Sequence, residues 1–254
     1  MSWLNLKYYS FTIVDPYNFN KLKNKLKRKK IDILNKAPNQ KEMKTFDIII
    51  FAVKPQNAKD VLNEYENFEL KKNVLIGSII AGKKINFFKK RIKNTNQFVR
   101  IMPNMPALIR NGISCFVSRS NLSLSNKKKL NELFLQVGKT VWLKSENQID
   151  KATAVSGSGP GYIFTLIHAF EKAAQKLGFS KSQSRDLISS TMLGSILLMQ
   201  ETRKEPKELA KEIAVKGGTT EAGIKNLQNN NIDKIIFKTY ISAYNRAKVL
   251  GKKN

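Results

Sequence analysis

The chain has 254 residues, of which 41% are apolar, 9% aromatic and 26% charged, enough for one large core or two modest ones. Lys and Arg number 46 against 19 Asp and Glu, and this net charge of +27 is spread along the whole length, which excludes a simple basic tail. A single cysteine, Cys115, excludes an internal disulfide and favours a reducing, cytoplasmic location. The apolar runs are too short to span a membrane and residues 1–10 do not resemble a signal peptide, so we expect no membrane partner.

The positive charge has two interpretations. Long-range attraction would draw such a chain to polyanions or to an anionic membrane surface. Alternatively, a compositional bias toward Lys, Asn and Ile decorates every solvated face without a specific partner. Because no nucleic-acid recognition motif is present, we favour the second interpretation and expect no specific nucleic-acid partner.

The first half alternates short β-rich runs with polar helical stretches, which is typical of a parallel sheet covered by helices. The predicted strands are Phe11–Val14, Ile48–Val53, Val74–Ile80, Phe98–Ile101, Gly112–Ser118 and Thr140–Leu143. The predicted helices between them are Tyr17–Lys30, Asn57–Tyr65, Ile85–Arg91 and Ser125–Val137.

From Asp150 the apolar period becomes helical and stays so, which places a domain boundary between Ser145 and Ile149 and predicts domains 1–147 and 148–254. Five helices are predicted, beginning at Gly159-Pro160, after a cap at Ser180 or Ser182, at Pro206, after a cap at Thr219 or Thr220, and near Ile232. The first two helices are apolar around much of their circumference. We therefore expect a second copy of the chain to cover them, most simply in a twofold dimer.

Four segments carry most of the functional information, namely Ala52–Pro55, Arg100–Ala107, Ala154–Pro160 and Gly217–Gly223. Ala52–Pro55 leaves a strand at its carboxyl end, where open α/β sheets bind ligands, although an ordinary strand end would look the same. Asn104 lies between two prolines in a rigid turn that could present its amide to a ligand or have no ligand. Gly217 and Gly218 precede a helix N-terminus, an arrangement that suits a carboxylate but that a bare linker would share.

The order and spacing of these segments resemble pyrroline-5-carboxylate reductase over nearly the whole chain, from about Phe11 to Leu250. The resemblance implies an α/β Rossmann-type domain followed by an all-α dimerisation domain, assembled as a homodimer and, in larger rings, as a decamer. It also implies hydride transfer from NADPH or NADH to the C=N bond of 1-pyrroline-5-carboxylate, giving L-proline in the last step of proline biosynthesis. Because the cofactor supplies the hydride, the protein has to orient the cofactor against the substrate and exclude water. Neither a catalytic triad nor a metal is therefore expected.

The resemblance also assigns site residues by position. The expected cofactor-binding residues are Asp15, Asn39, Ala52, Val53, Lys54, Pro55, Ala81, Gly82, Met102, Pro103 and Asn104. The expected substrate-binding residues are Val215, Lys216, Gly217, Gly218, Thr219 and Thr220, with the Thr220 hydroxyl as the catalytic partner of the ring nitrogen. Ser156–Pro160 is expected to be structural first, and the single histidine, His168, to pack or lie in an interface. Asp15 favours NADH by repelling a 2′-phosphate and nearby lysines favour NADPH, so the choice of coenzyme stays open.

The chain departs from the family pattern in two places. The family begins with a strand and a GxGxxG-type turn that binds the cofactor diphosphate, and this sequence contains neither. We therefore expect a gap in the sheet. Met1–Leu4 resembles the end of the helix that follows the turn in the family. We expect the natural start to lie upstream, because the other motifs are retained; the alternative is a truncated domain with low cofactor affinity. Val215-Lys216 replaces the usual Ser-Pro and removes a hydroxyl near the substrate carboxylate.

Other functions remain open. A related imine reductase would share these motifs, whereas a hydroxyacid dehydrogenase usually needs a Lys or His acid/base that the Gly217–Thr220 loop does not supply. A non-catalytic, basic scaffold protein built on the dimer domain would bind polyanions with a steep salt dependence and would not bind nicotinamide.

Overall fold

The computed structural model describes residues 9–27, 31–119 and 122–252. The chain divides into two compact units, one formed by Met1–Gly157 with Ala243–Asn254 and the other by Ser158–Ser242. The boundary that the sequence predicts at 147/148 falls inside the first unit. The reason is that a helix over Glu146–Ala152 packs its Ile149 side chain against the sheet.

The first unit contains seven described strands: β1 Phe11–Val14, β2 Ile31–Leu34, β3 Ile48–Phe51, β4 Leu75–Ser78, β5 Phe98–Met102, β6 Gly112–Val117 and β7 Gly138–Trp142. β1 pairs with β2 in parallel, and β3 to β7 form a second sheet in sequence order. β6 runs antiparallel to β5, whereas the other neighbouring pairs are parallel. The parallel sheet that the sequence predicts is therefore confirmed except at β6, where the segment that follows β5 is too short for a crossover helix.

The expected gap coincides with the break between the two sheets. β3 pairs with β4 on one side, and no strand in the described part of the chain pairs with its other side. β1 and β2 form a separate two-stranded sheet, in which Phe11 lies opposite Ile31 and Val14 opposite Leu34. The predicted helix end at Met1–Leu4 lies outside the described residues.

The described helices of the first unit are α1 Phe19–Leu26, α2 Gln40–Met43, α3 Ala58–Tyr65, α4 Ile85–Lys89, α5 Leu124–Leu135 and α6 Glu146–Ala152. The four predicted helices are confirmed as α1, α3, α4 and α5 with shorter bounds, whereas β2, α2 and α6 were not predicted. A signal for α6 exists in the sequence, since Ser145 caps it by accepting a 3.3 Å hydrogen bond from the Gln148 backbone N–H. This Ser-x-x-Gln pattern before the apolar Ile149 is typical of a helix start.

Helices cover both faces of the five-stranded sheet, because successive side chains of a strand point to opposite sides. On one face, Ile76 of β4 packs in a cluster with Leu62 of α3. On the other face, Leu75 of the same strand packs in a cluster with Leu130 of α5. The central strands are therefore buried on both sides, as their continuous apolar runs predict.

A buried ion cluster joins β5 to α6 and α4. Arg100 in β5 is 5% exposed, and its guanidinium lies 3.4 Å from Glu146 Oε1 and 3.0 Å from Asp150 Oδ1. Glu146 Oε1 also accepts a 2.8 Å hydrogen bond from the backbone N–H of Ile85, the first residue of α4. Buried charges are tolerated when they are paired in this way. The cluster thereby holds α4 and α6 against the same strand.

The helical region contains α7 Gly159–Lys176, α8 Lys181–Thr202, α9 Pro206–Ile213, α10 Thr219–Asn229 and α11 Ile232–Lys252, the last of which continues into the first unit. The predicted cap at Ser180 is confirmed, since its hydroxyl accepts a 3.2 Å hydrogen bond from the Gln183 N–H. The predicted threonine cap of α10 is wrong. Gly218 is the cap residue, and α10 begins at Thr219.

Apolar side chains on α7 and α8 stay exposed in the single chain. Phe164 of α7 is 57% exposed and Leu193 of α8 is 61% exposed. Other exposed apolar residues of the two helices are Ile163, Phe170, Leu187, Ile196, Leu197 and Leu198. His168 is also exposed, so it does not pack within the chain. The uncovered apolar surface that the sequence predicts is therefore present.

No helix within the described ranges is both long enough and apolar enough to cross a bilayer.

We predict that Leu130→Ala lowers the free energy of unfolding by about 2–5 kcal/mol, because the fully buried side chain leaves a cavity between α5 and the sheet. Leu124→Ala makes the same chemical change in the same helix, at a side chain that is 83% exposed, and should cost less than about 0.5 kcal/mol. Urea denaturation followed by circular dichroism measures both changes. Equal losses in the two variants would contradict this assignment of the core.

Candidate active site

Three segments lie at the carboxyl ends of neighbouring parallel strands. Ala52–Pro55 follows β3, Ala81-Gly82 follows β4, and Met102–Asn104 closes β5 and begins the next turn. Because β3, β4 and β5 are adjacent and parallel, these segments lie along one edge of the sheet. The structure therefore brings most of the predicted cofactor residues to the edge at which open α/β sheets bind nucleotides.

The turn after β3 presents a small residue and a cation. Ala52 and Lys54 are exposed, whereas Val53 packs against the core. Pro55 begins a short 3₁₀ helix, and the Asn57 N–H donates a 3.0 Å hydrogen bond to the carbonyl of Lys54. β3 ends at Phe51, and Pro55 turns the chain toward α3. Ala52 and Lys54 lie between the two elements and are accessible to a ligand.

The turn after β4 depends on Gly82, whose φ of +77° is one that L side chains rarely adopt. The next residue, Lys83, was not predicted as a site residue, although it is 8% exposed and its ammonium lies 4.6 Å from the centre of the Phe87 ring. Burial lowers the pKa of Lys83, and the nearby Arg91 charge adds to that effect. Lys83 and Arg91 both lie outside α4, so the signal that the sequence offers for Lys83 is its place directly after the Gly82 turn.

Both polar groups of the Asn104 side chain form hydrogen bonds within the protein. Its Oδ1 accepts a 2.9 Å hydrogen bond from the Ile113 N–H at the start of β6. Its Nδ2 donates a 3.2 Å hydrogen bond to the carbonyl of Ser156, in the π-helical turn Thr153–Gly157 that continues α6. In this structure both polar groups of the side chain hold the protein together at the end of β5, and Asn104 positions the turn rather than presenting a free amide.

The Ala154–Pro160 segment begins within this π-helical turn. The Ser156 hydroxyl donates a 2.9 Å hydrogen bond to the Ala152 carbonyl and lies 4.0 Å from the Cys115 sulfur. Burial raises the pKa of the Cys115 thiol, and the contact with Ser156 only partly opposes that effect. Cys115 is therefore a buried thiol whose surroundings disfavour the nucleophilic thiolate form.

Two predicted cofactor residues lie after the strands of the smaller sheet. The Asp15 carboxylate follows β1 and accepts hydrogen bonds from the backbone N–H groups of Tyr17 and Asn18, at 3.1 and 3.0 Å. Asn39 caps α2, accepting a 3.0 Å hydrogen bond from the Glu42 N–H while the Glu42 carboxylate accepts one from the Asn39 N–H. Strand pairing does not join these two residues to the three segments at the edge of β3–β5.

The predicted substrate loop binds a carboxylate of the chain itself. Gly217 has a φ of +76°, and its N–H donates a 2.8 Å hydrogen bond to Oε2 of Glu221. This hydrogen bond, together with the Lys225 ammonium, lowers the pKa of Glu221. The loop therefore has the geometry to hold a carboxylate oxygen at the N-terminal end of α10.

Gly218 lies in a tight turn, in which its N–H donates a 3.0 Å hydrogen bond to the Val215 carbonyl. A Cβ atom at this position would lie 2.9 Å from Val215 Cγ2 and 3.0 Å from the Val215 carbonyl oxygen, so a side chain would crowd the turn. Thr219 and Thr220 follow as the first two residues of α10, while Val215 and Lys216 are exposed. The tight turn therefore determines how the start of α10, with Thr219 and Thr220, is oriented relative to the loop.

A family model described as pyrroline-5-carboxylate reductase dimerisation matches residues 146–250. The pyrroline-5-carboxylate reductase of Pseudomonas aeruginosa is 35% identical over 206 residues, which cover 81% of this chain and 75% of that protein. The enzyme of the same name from Aquifex aeolicus is 33% identical over 208 residues, covering 82% of this chain and 75% of that protein.

Solved structures of pyrroline-5-carboxylate reductases are similar to this chain in fold. A pyrroline-5-carboxylate reductase from Coxiella burnetii has a TM-score of 0.86 at 29% identity, covering 96% of this chain and 88% of that chain. A Plasmodium falciparum pyrroline carboxylate reductase with NADP bound has a TM-score of 0.77 at 26% identity, covering 96% and 97%. The similarity in sequence and in fold does not favour a non-catalytic scaffold. This chain belongs to the pyrroline-5-carboxylate reductase family.

Proposed function

We propose that this chain reduces the C=N bond of 1-pyrroline-5-carboxylate to give L-proline, with hydride from NADPH or NADH. Family membership carries the proposal. The three segments at one edge of β3–β5 support it, because that edge is where Rossmann-type sheets bind the coenzyme.

The residues at this edge fit a nicotinamide coenzyme. Ala52 is small and exposed, Gly82 turns the backbone sharply after β4, and Lys54 adds a positive charge beside them. When bound, the coenzyme supplies the hydride, and the protein orients it and keeps water away. We assign the adenosine ribose to Asp15, and its position directly after β1 supports this role, since Rossmann domains use an acidic residue after a strand for that contact.

We assign the substrate carboxylate to the Gly217-Gly218 turn. The hydrogen bond that the Gly217 N–H donates to Glu221 supports this assignment, because a substrate carboxylate would replace the Glu221 carboxylate at that amide. The first amides of α10 add the positive end of the helix dipole. The Thr220 hydroxyl, on the second residue of α10, is assigned as the hydrogen-bond partner of the ring nitrogen. There it orients the imine, which is already electrophilic when its nitrogen is protonated.

We further propose that a second copy covers the apolar surface of α7 and α8. The match of residues 146–250 to a dimerisation region and the exposure of Phe164 and Leu193 support a homodimer. Assembly of dimers into a decamer and a cytoplasmic location remain predictions from the sequence.

Thr220→Val should lower kcat/KM by about 10–100-fold, because the ring nitrogen loses its hydrogen-bond partner while the side-chain volume is kept. Thr220→Ser keeps the hydroxyl and should retain most of the activity. Both are measured from NAD(P)H oxidation at saturating coenzyme with 1-pyrroline-5-carboxylate. Equal activity of the Val and Ser variants would remove Thr220 from the proposed mechanism.

Gly217→Ala should raise KM for 1-pyrroline-5-carboxylate by about tenfold, because a left-handed backbone penalises Cβ by roughly 1–2 kcal/mol and the turn will shift. Gly223→Ala is the matched control, since Gly223 lies within α10 with nothing near its Cβ position. The control should leave KM unchanged and stabilise the helix by about 0.5–1 kcal/mol. A KM that rises equally in both variants would contradict the special role of the turn.

Leu193→Lys should weaken the dimer at least about tenfold, because it places a charge within the exposed apolar surface of α8. Leu124→Lys makes the same change on α5 in the first unit and should leave the dimer intact. Sedimentation equilibrium measures the monomer fraction of each variant. A monomeric unmodified chain would rule out the dimer directly.

A further inference from the structure

The turn between β1 and α1 places an acidic and an aromatic side chain at the carboxyl end of β1. It comprises Asp15, Pro16, Tyr17 and Asn18, which follow the last residue of the strand and precede the first residue of α1. Rossmann-type domains use the residue after such a strand to bind the adenosine ribose, where NAD has a 2′-hydroxyl and NADP a 2′-phosphate. The chemistry of this turn therefore bears on the choice between the two coenzymes.

The Asp15 carboxylate is held in place by its own turn. Oδ1 accepts hydrogen bonds from the backbone N–H groups of Tyr17 and Asn18, and the Asn18 side-chain amide donates at 3.3 Å to Oδ1 and at 3.0 Å to Oδ2. A carboxylate oxygen has two lone pairs, so Oδ2 keeps one acceptor position. These hydrogen bonds lie at the protein surface and Asp15 is only partly buried, so the carboxylate is accessible to a hydroxyl donor.

No basic side chain neutralises Asp15 in the described part of the chain, where none of the ion pairs includes it. Lys21 and Lys23 lie in α1 rather than in the turn, and the Lys23 ammonium lies 5.4 Å from the centre of the Phe19 ring. Lys36 follows β2, whose end lies beside the end of β1. A 2′-phosphate at this turn would therefore face a fixed negative charge, which repels it.

Tyr17 presents an aromatic ring beside this carboxylate. Tyr17 is 87% exposed, and the hydrogen bond from its backbone N–H to Asp15 fixes its place in the turn. Nucleobases stack on aromatic rings, and this stacking depends on the two ring faces rather than on the phosphates of the ligand. The Tyr17 ring is thus available to an adenine whose ribose binds Asp15.

We propose that the turn of residues 15–18 selects NADH over NADPH, an inference that rests on the coenzyme role proposed above. Asp15 Oδ2 accepts a hydrogen bond from a ribose hydroxyl, and the Asp15 charge repels a 2′-phosphate. Tyr17 stacks on the adenine and adds affinity for both coenzymes alike. Asp15 therefore determines selectivity, whereas Tyr17 determines affinity.

Fluorescence titration of NADH and NADPH onto the full chain, without substrate, measures both affinities directly. NADH should bind about tenfold tighter than NADPH, since the two differ only in the 2′-phosphate that Asp15 repels. Asp15→Asn keeps an oxygen that accepts the N–H groups of the turn but removes the charge, and should reduce this preference about tenfold. Asp32→Asn removes the same charge from β2 of the same sheet, opposite Thr12, and should leave the preference unchanged.

The role of Tyr17 is tested by the same titration. Tyr17→Ala should weaken both coenzymes about tenfold and leave their ratio unchanged, because stacking is lost while the charge of Asp15 is kept. Tyr17→Phe keeps the ring and should retain both affinities. A changed ratio in Tyr17→Ala, or an affinity equal to that of the unmodified chain, would contradict this role.

Equal binding of the two coenzymes, tighter binding of NADPH or binding of neither would overturn the proposal, as would an unchanged preference in Asp15→Asn. Lys36→Ala should leave the preference unchanged, and a selective loss of NADPH affinity in that variant would indicate a phosphate site and overturn it too. Reductase turnover with each coenzyme, measured in parallel, tests the proposed function separately. NADH-selective binding without turnover of 1-pyrroline-5-carboxylate would contradict the reductase reaction and leave the selectivity of the turn standing.

Discussion

From β3 to β5 both strand pairings are parallel, with Phe51 opposite Ser78 and Ser78 opposite Arg100, and all three strands run in one direction. This alignment brings three turns that are far apart in sequence to a single edge. The same pleat sends neighbouring side chains of each strand to opposite faces, which buries the sheet between helices. The position of the site and the position of the core therefore have one geometric cause.

Two polar residues of β5 and its turn stabilise the elements around that edge. Arg100, in the middle of the strand, holds α6 and α4 through Glu146, and Asn104, just beyond the strand, holds β6 and the π-helical turn. Neither side chain has to contact a ligand to matter for the site. Their bonds determine how α4 and the start of β6 sit beside the turns that would bind the coenzyme.

The sequence predicts those parts of the fold that depend on local patterns. Continuous apolar runs indicate β3 and β4, and Ser180 and Pro206 indicate helix starts, all of which are confirmed. β2 was missed because Asp32 interrupts its apolar residues and basic residues surround this short segment. The direction of β6 depends on the length of its connection to β5, which apolar periodicity does not describe.

In the candidate site, too, the features that depend on local sequence are predicted and those that depend on distances in the fold are not. Glycines and prolines mark the ends of β3, β4 and β5, so its location could be predicted, and Gly217 adopts the left-handed backbone that its position requires. The internal use of Asn104 depends on distances to Ile113 and Ser156, which local sequence does not encode. The hydrogen bond from the Gly217 N–H to Glu221 is a similar case, because the sequence places Glu221 in the first turn of α10 but does not specify its partner.

The separate sheet of β1 and β2 has a consequence for dynamics. A two-stranded sheet is marginally stable by itself, and all four side chains of β1 are only partly buried. This part of the domain will open at a lower free-energy cost than β3–β5, and its amides will exchange with solvent sooner. Under the role proposed for Asp15 at the end of β1, coenzyme binding stabilises that strand pair. The apparent affinity for the coenzyme then includes the cost of this local folding.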